Sequence, residues 1–324
     1  MIAAMWCDRV MADHRAIANA EALARRQAGM ISHAQARAEG VTLAQLRTLV
    51  RQGRWVRGTR GVYRTPVDTR LDSWDEARQQ AAWMGVLAVP GSTAVGMAAL
   101  ALLQLQGLPR QIPSEVCVPH GRSITGPAGV LVRRHRNPIP TVLINGFRVA
   151  TAPVAIALAL PDLDRCNAVA VLDSALHTGR LTKAGQRELE QALAGRRGAH
   201  RTRQLITLAD RRAESPLETR ARLIFMDAGL PPAQLQVRVR NRNGRVIARG
   251  DLGWRRADGS WVIVEMDGRG VHGRPSAVYA DRGRQNQIVL NRQITILRFT
   301  DRDLDDGNAV AVVRTAITSP SRVA

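Results

Sequence analysis

Apolar and polar positions recur with two different periods along the chain, and the changes of period separate three segments. The first, 1–68, is helical in short pieces. Ile17–Gln27 reads as a helix stopped by Gly29. Ser32 caps a second helix through Ala38 that Gly40 closes, and Thr42 caps a third. In that third helix Leu43, Leu46 and Val50 fall at helical spacing and form the expected buried stripe. Gln45, Arg47, Thr48 and Arg51 then face outward. From Trp55 to Arg64 apolar residues flank a tight glycine-containing turn, which predicts a small hairpin. Three short helices followed by a hairpin is the order of a winged helix-turn-helix.

The second segment, 69–212, mixes both periods. Asp72–Val86 and Ser92–Leu103 are expected helices, and Glu115–Val118 and Val130–Arg134 expected strands. A hairpin is expected to turn at Asn145-Gly146, and helices from Pro153 to about Asp210. The third segment, 213–324, opens with Ser215 as a cap, Pro216 at the first helical position and Glu218 at the third, a predicted capping box. The helix should end at Gly229. Strands follow at Gln234–Arg240, Val246–Trp254 and Trp261–Asp267, then a helix at Ala277–Leu290 and a strand at Ile294–Phe299. The order is α-β-β-β-α-β, and the whole is a mixed α+β and α/β multidomain chain.

Charge sharpens this picture. The 324 residues carry a formal charge of +20, which favours a polyanionic partner such as nucleic acid. Lys183 is the only lysine, so the excess is almost entirely arginine. The outward face of the third predicted helix, with Gln45, Arg47, Thr48 and Arg51, suits groove and phosphate contacts, and Arg57, Arg60 and Arg64 lie on the predicted wing. Cys7, Cys117 and Cys166 lie far apart without a C-x-x-C pair, which argues against a disulfide framework or structural zinc and fits a reducing, cytoplasmic compartment. No apolar run approaches the ~20 residues of a membrane span, so no membrane partner is expected.

If the loop of the predicted hairpin between the second and third C-terminal strands holds an odd number of residues, Asp251 and Glu265 face each other across the ladder, with Asp267 two residues on and pointing the same way. Clustered carboxylates repel one another and are costly to desolvate unless a cation compensates them. Mg²⁺ takes one or two carboxylates plus phosphate oxygens, the arrangement used in metal-assisted phosphodiester hydrolysis. The alternative is that these are strand-end charges paired with arginines.

Two resemblances add to this reading. The stretches Ser215-Pro-Leu-Glu-Thr-Arg, Glu265-Met-Asp-Gly, Asp281-Arg282-x-Arg284-x-Asn286 and Leu297-Arg-Phe-Thr300, with Asp251 in a strand, resemble a bacterial family related to the very-short-patch mismatch repair endonuclease. That family belongs to the PD-(D/E)XK, restriction-endonuclease-like superfamily. The resemblance covers about 215–305. It implies an αβββαβ core, Asp251 and Glu265 as Mg²⁺ ligands, Glu218 as the acidic residue of the first helix and His272 as a catalytic histidine. Asp267 stands where most members carry a lysine. Arg282 and Arg284 are candidate phosphate contacts, or a solvated helix face. The stretches from Gly29-Met-Ile-Ser to Arg60-Gly-Val-Tyr-Arg64 resemble the winged helix of AbiEi-type antitoxins. This implies DNA and a cognate toxin as partners. Two functions stay open: a DNA-binding protein with a Mg²⁺-dependent endonuclease domain, or a non-enzymatic antitoxin-like regulator whose nuclease domain is degenerate.

Overall fold

The structure is a computed structural model that describes residues 2–66, 73–119, 124–135, 137–196, 198–240, 244, 246–268 and 294–319. Side chains are described from residue 14 on, apart from 73, 247 and 248. Among the described residues it is a mixed α+β architecture with three sheets. The chain divides into two compact units, 1–164 with 180–204, and 165–179 with 205–324.

In the first unit, α1 (Ile2–Arg25) leads into β1 (Met30–Ser32), α2 (His33–Ala38), α3 (Leu43–Arg51), β2 (Val56–Thr59) and β3 (Val62–Arg64). Both short helices start on capping boxes, Ser32 with Gln35 and Thr42 with Gln45. β1 was not expected from the sequence. It pairs antiparallel with β3, which pairs with β2, giving the sheet order β1-β3-β2. A core of small and large apolar groups, including Ala20, Ala24, Ile31, Leu46, Leu49 and the fully buried Trp55, ties helices and sheet together. Leu43 departs from expectation. It is 41% exposed, and Leu49 takes the buried place. Val41, just before the cap, is buried beside Leu46 and so fixes the phase of the helix.

The same unit continues with α4 (Ser73–Ala88), β4 (Thr93–Ala94), α5 (Gly96–Leu102), β5 (Ser114–Cys117), β6 (Val130–Arg133), β7 (Thr141–Ile144), β8 (Phe147–Ala150) and α6 (Ala152–Ala159). These strands form a sheet in the order β6-β5-β4-β8-β7, with β4 parallel to β8 and β5 parallel to β6. The expected helix from Ser92 is therefore two elements, the strand β4 and the helix α5. The hairpin turn at Asn145-Gly146 joins β7 to β8. α4 packs on both sheets. Thr59 Oγ1 also donates to the Ala128 carbonyl at 2.7 Å, and Asn145 Nδ2 donates to the Arg26 carbonyl at 2.7 Å. The two sequence segments that met at residue 69 are thus fused into one body.

In the second unit, α7 (Arg165–His177) packs with α10 (Pro216–Asp227), while α8 (Lys183–Leu193) belongs to the first unit and α9 (Ala199–Thr207) follows it. Asp173 explains the partition. It is 1% exposed and accepts from Arg222 Nη2 at 2.7 Å, Thr219 Oγ1 at 2.7 Å and the Asp210 backbone N–H at 2.6 Å. This buried ion pair stitches α7 to α10 across a long stretch of sequence. Beyond α10 come β9 (Gln234–Arg240), β10 (Val246–Arg255), β11 (Trp261–Met266), β12 (Ile294–Phe299), α11 (Asp301–Asp305) and α12 (Asn308–Thr318). The sheet order is β12-β11-β10-β9, antiparallel except for the β11–β12 pair. Phe225 stacks edge-on against Trp254 at 4.8 Å in a core shared with Leu252, Val264, Phe299 and Val313. His272, Arg282, Arg284 and the helix expected at Ala277–Leu290 lie outside the described residues.

Candidate functional site

Two places carry chemistry. The first is the outer face of α3. Leu46 and Leu49 point into the core, so Arg47 and Arg51 are exposed, with Thr48 half-buried between them. The Gln45 side-chain oxygen accepts the Thr42 backbone N–H at 2.7 Å and the Thr42 hydroxyl at 2.9 Å. Its carbonyl therefore serves the cap. Arg57 and Arg60 are exposed on the hairpin, as is Arg64 at its end. The face thus offers several exposed guanidiniums on a helix and a hairpin, with Arg51 Nη2 donating to Thr48 Oγ1 at 3.5 Å, which suits phosphate contact.

The second lies where β9, β10 and α10 meet. The Leu252–Val264 pair sets the β10–β11 register, and Asp251 and Glu265 sit one step beyond it, across from each other. Asp251 Oδ2 accepts the Met266 backbone N–H at 2.7 Å. Burial pushes the Asp251 carboxyl up to about 6. The nearby Glu218 charge reinforces this, while the Met266 N–H, the Arg249 charge and the Gln236 side chain oppose it.

Glu218 is 9% exposed and heavily bonded. Its Oε1 accepts from Ser215 Oγ at 2.9 Å, and its Oε2 accepts from the Glu214 N–H at 3.0 Å and from Gln236 Nε2 at 2.8 Å. The carboxylate of the expected capping box thus reaches past Ser215 to the residue before it. Gln236 adopts φ +50 within β9, a left-handed conformation that few side chains tolerate. Arg249 donates to Gln236 Oε1 at 2.8 Å and pairs with Glu214 at 2.5 Å.

Glu265 is ion-paired at 2.9 Å with Arg298, its registered neighbour on the parallel strand β12. Asp267 is exposed, and its backbone N–H donates to the Phe299 carbonyl at 2.8 Å. Asp251 and Glu218 are therefore brought together, Glu265 lies across the ladder, and Asp267 follows just past the end of β11. Among the described residues, no three His, Cys, Asp or Glu side chains are grouped to hold a metal ion. The sequence pattern missed Gln236, Arg249 and Glu214. Gln236 sits in an ordinary Gln-Leu-Gln-Val-Arg alternation, and only its backbone conformation singles it out.

Residues 20–66 match the family described as "Transcriptional regulator, AbiEi antitoxin", a span that runs from α1 through β3. Two uncharacterized proteins of Mycobacterium tuberculosis, from strains CDC 1551 / Oshkosh and H37Rv, are each 35% identical to this chain over 145 residues. The alignment takes in 42% of this chain and 49% of either relative, so the chain spans about half the length of the curated relatives it matches. Among the described residues no helix is long and apolar enough to cross a membrane.

Proposed function

We propose that this protein is a DNA-binding transcriptional regulator of the antitoxin type, in which residues 20–66 form a winged helix and α3 enters the major groove. The observation that carries this reading is the exposed Arg47–Arg51 face of α3 inside the segment that matches the AbiEi antitoxin regulators. Groove entry by such a helix leaves its arginines to phosphates and base edges, and Arg57 and Arg60 on the wing to the flanking backbone. A toxin encoded beside it is the expected protein partner, and the cytoplasm the expected compartment. The test is binding of the full chain to the duplex upstream of its own coding sequence, with unrelated duplex as competitor.

A second reading, favoured by Asp251 beside Glu218 and across from Glu265, concerns the other unit. The order α10-β9-β10-β11 and then β12 agrees with a restriction-endonuclease-like core, and Asp251 and Glu265 are hard oxygen donors suited to Mg²⁺. A cation would relieve the buried Asp251 carboxylate, and Glu265 would exchange Arg298 for it. When bound, Mg²⁺ supplies Lewis-acid activation of a phosphodiester. This chain's own residues hold the geometry: Met266 N–H and Gln236 orient Asp251, while Glu218 is anchored by Ser215, the Glu214 N–H and Gln236. Asp267 and His272 would be further members of such a site, and Arg282 and Arg284 phosphate contacts. Mn²⁺ binding that is lost in Asp251→Ala, with Mg²⁺-dependent nicking of DNA, is the outcome expected if the site is active. Neither property in the parent chain would overturn the reading of an active nuclease.

A further inference from the structure

We propose that a cleft over the central strands of the five-stranded sheet binds a small organic anion, a carboxylate carried on a short apolar body. The cleft encloses about 310 Å³, the size of a small-molecule site. It lies wholly within the first unit and is separate from both places described above.

Registered strand positions build its floor. Thr93 of β4 pairs with Cys117 of β5 on one side and with Arg148 of β8 on the other. All three line the cleft, together with His135, Asn137 and Thr141. Val118, Pro119, Pro138 and Ile139 supply apolar wall.

The polar groups point to a ligand. Thr93 is 7% exposed, yet its hydroxyl has no side-chain hydrogen bond among the described residues. Its oxygen is not sealed inside the protein, so the hydroxyl is open to the cleft and free to donate to a ligand there. Arg148, beside it in register, is exposed and makes no ion pair among the described residues. No Asp or Glu lines this cleft among the described residues. An unneutralised guanidinium next to an available hydroxyl is a donor set for a carboxylate.

The remaining lining groups do not compete for the anion. Arg196 Nη2 donates to His135 Nε2 at 2.9 Å, so the ring proton sits on Nδ1 and is donated to the Asn137 carbonyl at 2.9 Å. Both ring nitrogens are engaged, and His135 is a fixed wall. Burial pushes the Cys117 thiol up, which keeps it neutral. A neighbouring cavity of about 260 Å³ shares Cys117, His135 and Ile139. Its acidic residues, Glu115 and Asp162, share Arg133, at 2.9 and 2.8 Å, and Arg134 and Arg196 line the same cavity, so its arginines outnumber its carboxylates.

The test is calorimetric titration of the full chain with butyrate, hexanoate and octanoate, with 1-hexanol and hexylammonium as neutral and cationic controls. At least one carboxylate should bind about tenfold more tightly than 1-hexanol, the size of one charge-assisted contact. Arg148→Gln and Thr93→Val should each erase most of that preference while leaving the melting temperature of the unliganded chain within a degree or two. Equal binding of hexanoate and 1-hexanol, no carboxylate binding at millimolar concentration, or an unchanged preference in Arg148→Gln would overturn the proposal. None of these outcomes depends on DNA binding or on the second unit.

Discussion

The side-chain oxygen of Gln45 and the backbone N–H of Thr42 are hydrogen-bonded at 2.7 Å, and the Thr42 hydroxyl returns the contact by accepting the Gln45 N–H at 3.2 Å. This reciprocal cap starts α3 at Leu43, four residues before Arg47, and Arg51 follows one turn later. The pair sets where the helix begins and so where its arginines point. It also engages the side-chain oxygen of Gln45 in the cap and leaves the amide nitrogen outside it.

Removing that cap should cost stability. Thr42→Ala is expected to destabilise the fold by about 1 kcal/mol, as N-cap losses generally do. Arg47→Ala, on the exposed face, should stay within about 0.5 kcal/mol of the parent. Urea unfolding midpoints of the two variants separate these outcomes, and equal midpoints would remove the cap from the account.

A larger effect is expected at Asp173. It is buried with Arg222, whose Nε has no hydrogen-bond partner among the described residues. Asp173→Ala would leave that guanidinium uncompensated, at a cost of about 3–5 kcal/mol. Asp173→Leu with Arg222→Met should recover a good part of the loss, because the double change leaves no buried charge. Guanidinium unfolding of the three proteins tests this, and a single variant within 1 kcal/mol of the parent, as fixed by that titration, would contradict it.

Asp251 gives a pH signature. Its folded carboxyl is raised from 3.8 to about 6, mainly by burial. A raised carboxyl pKa means the neutral form is favoured by folding. Its contribution to stability is therefore full below about pH 4 and is lost as pH climbs through 6. Asp251→Asn, whose amide oxygen can still accept the Met266 N–H, should then melt higher than the parent at pH 7–8 and equal to it near pH 4. The comparison belongs in buffer with EDTA. A melting difference that stays flat from pH 4 to 8 would show that Asp251 ionises as it does in water.

Much of the local structure was legible in the sequence. Ser215, Pro216 and Glu218 marked the start of α10, and the Asp258-Gly259 turn set the register that puts Asp251 across from Glu265. These signals act over a few residues. What was illegible depends on partners far away in the chain. β1 exists because Met30–Ser32 pairs with Val62–Arg64. The phase of α3 follows Val41, so Leu49 rather than Leu43 is buried. α7 joins the second unit through Asp173, whose partners begin 37 residues later. Gln236 links Glu218 to Arg249 through a left-handed backbone that no local pattern announces. The expected grouping of Asp251, Glu265 and Asp267 was read from strand alternation alone. Asp267 lies past the end of β11, where alternation no longer fixes its direction.

The central claim is that the α3 face binds DNA. The most direct measurement is the affinity of the full chain for the duplex upstream of its own coding sequence, by fluorescence anisotropy across a salt series. With Arg47, Arg51, Arg57 and Arg60 neutralising about four phosphates, log affinity should fall against log salt with a slope of roughly −4. Arg47→Ala with Arg51→Ala should weaken binding more than tenfold and flatten the slope by about 2, with Asp251→Ala unchanged. An affinity and slope that the double variant leaves intact would contradict the account.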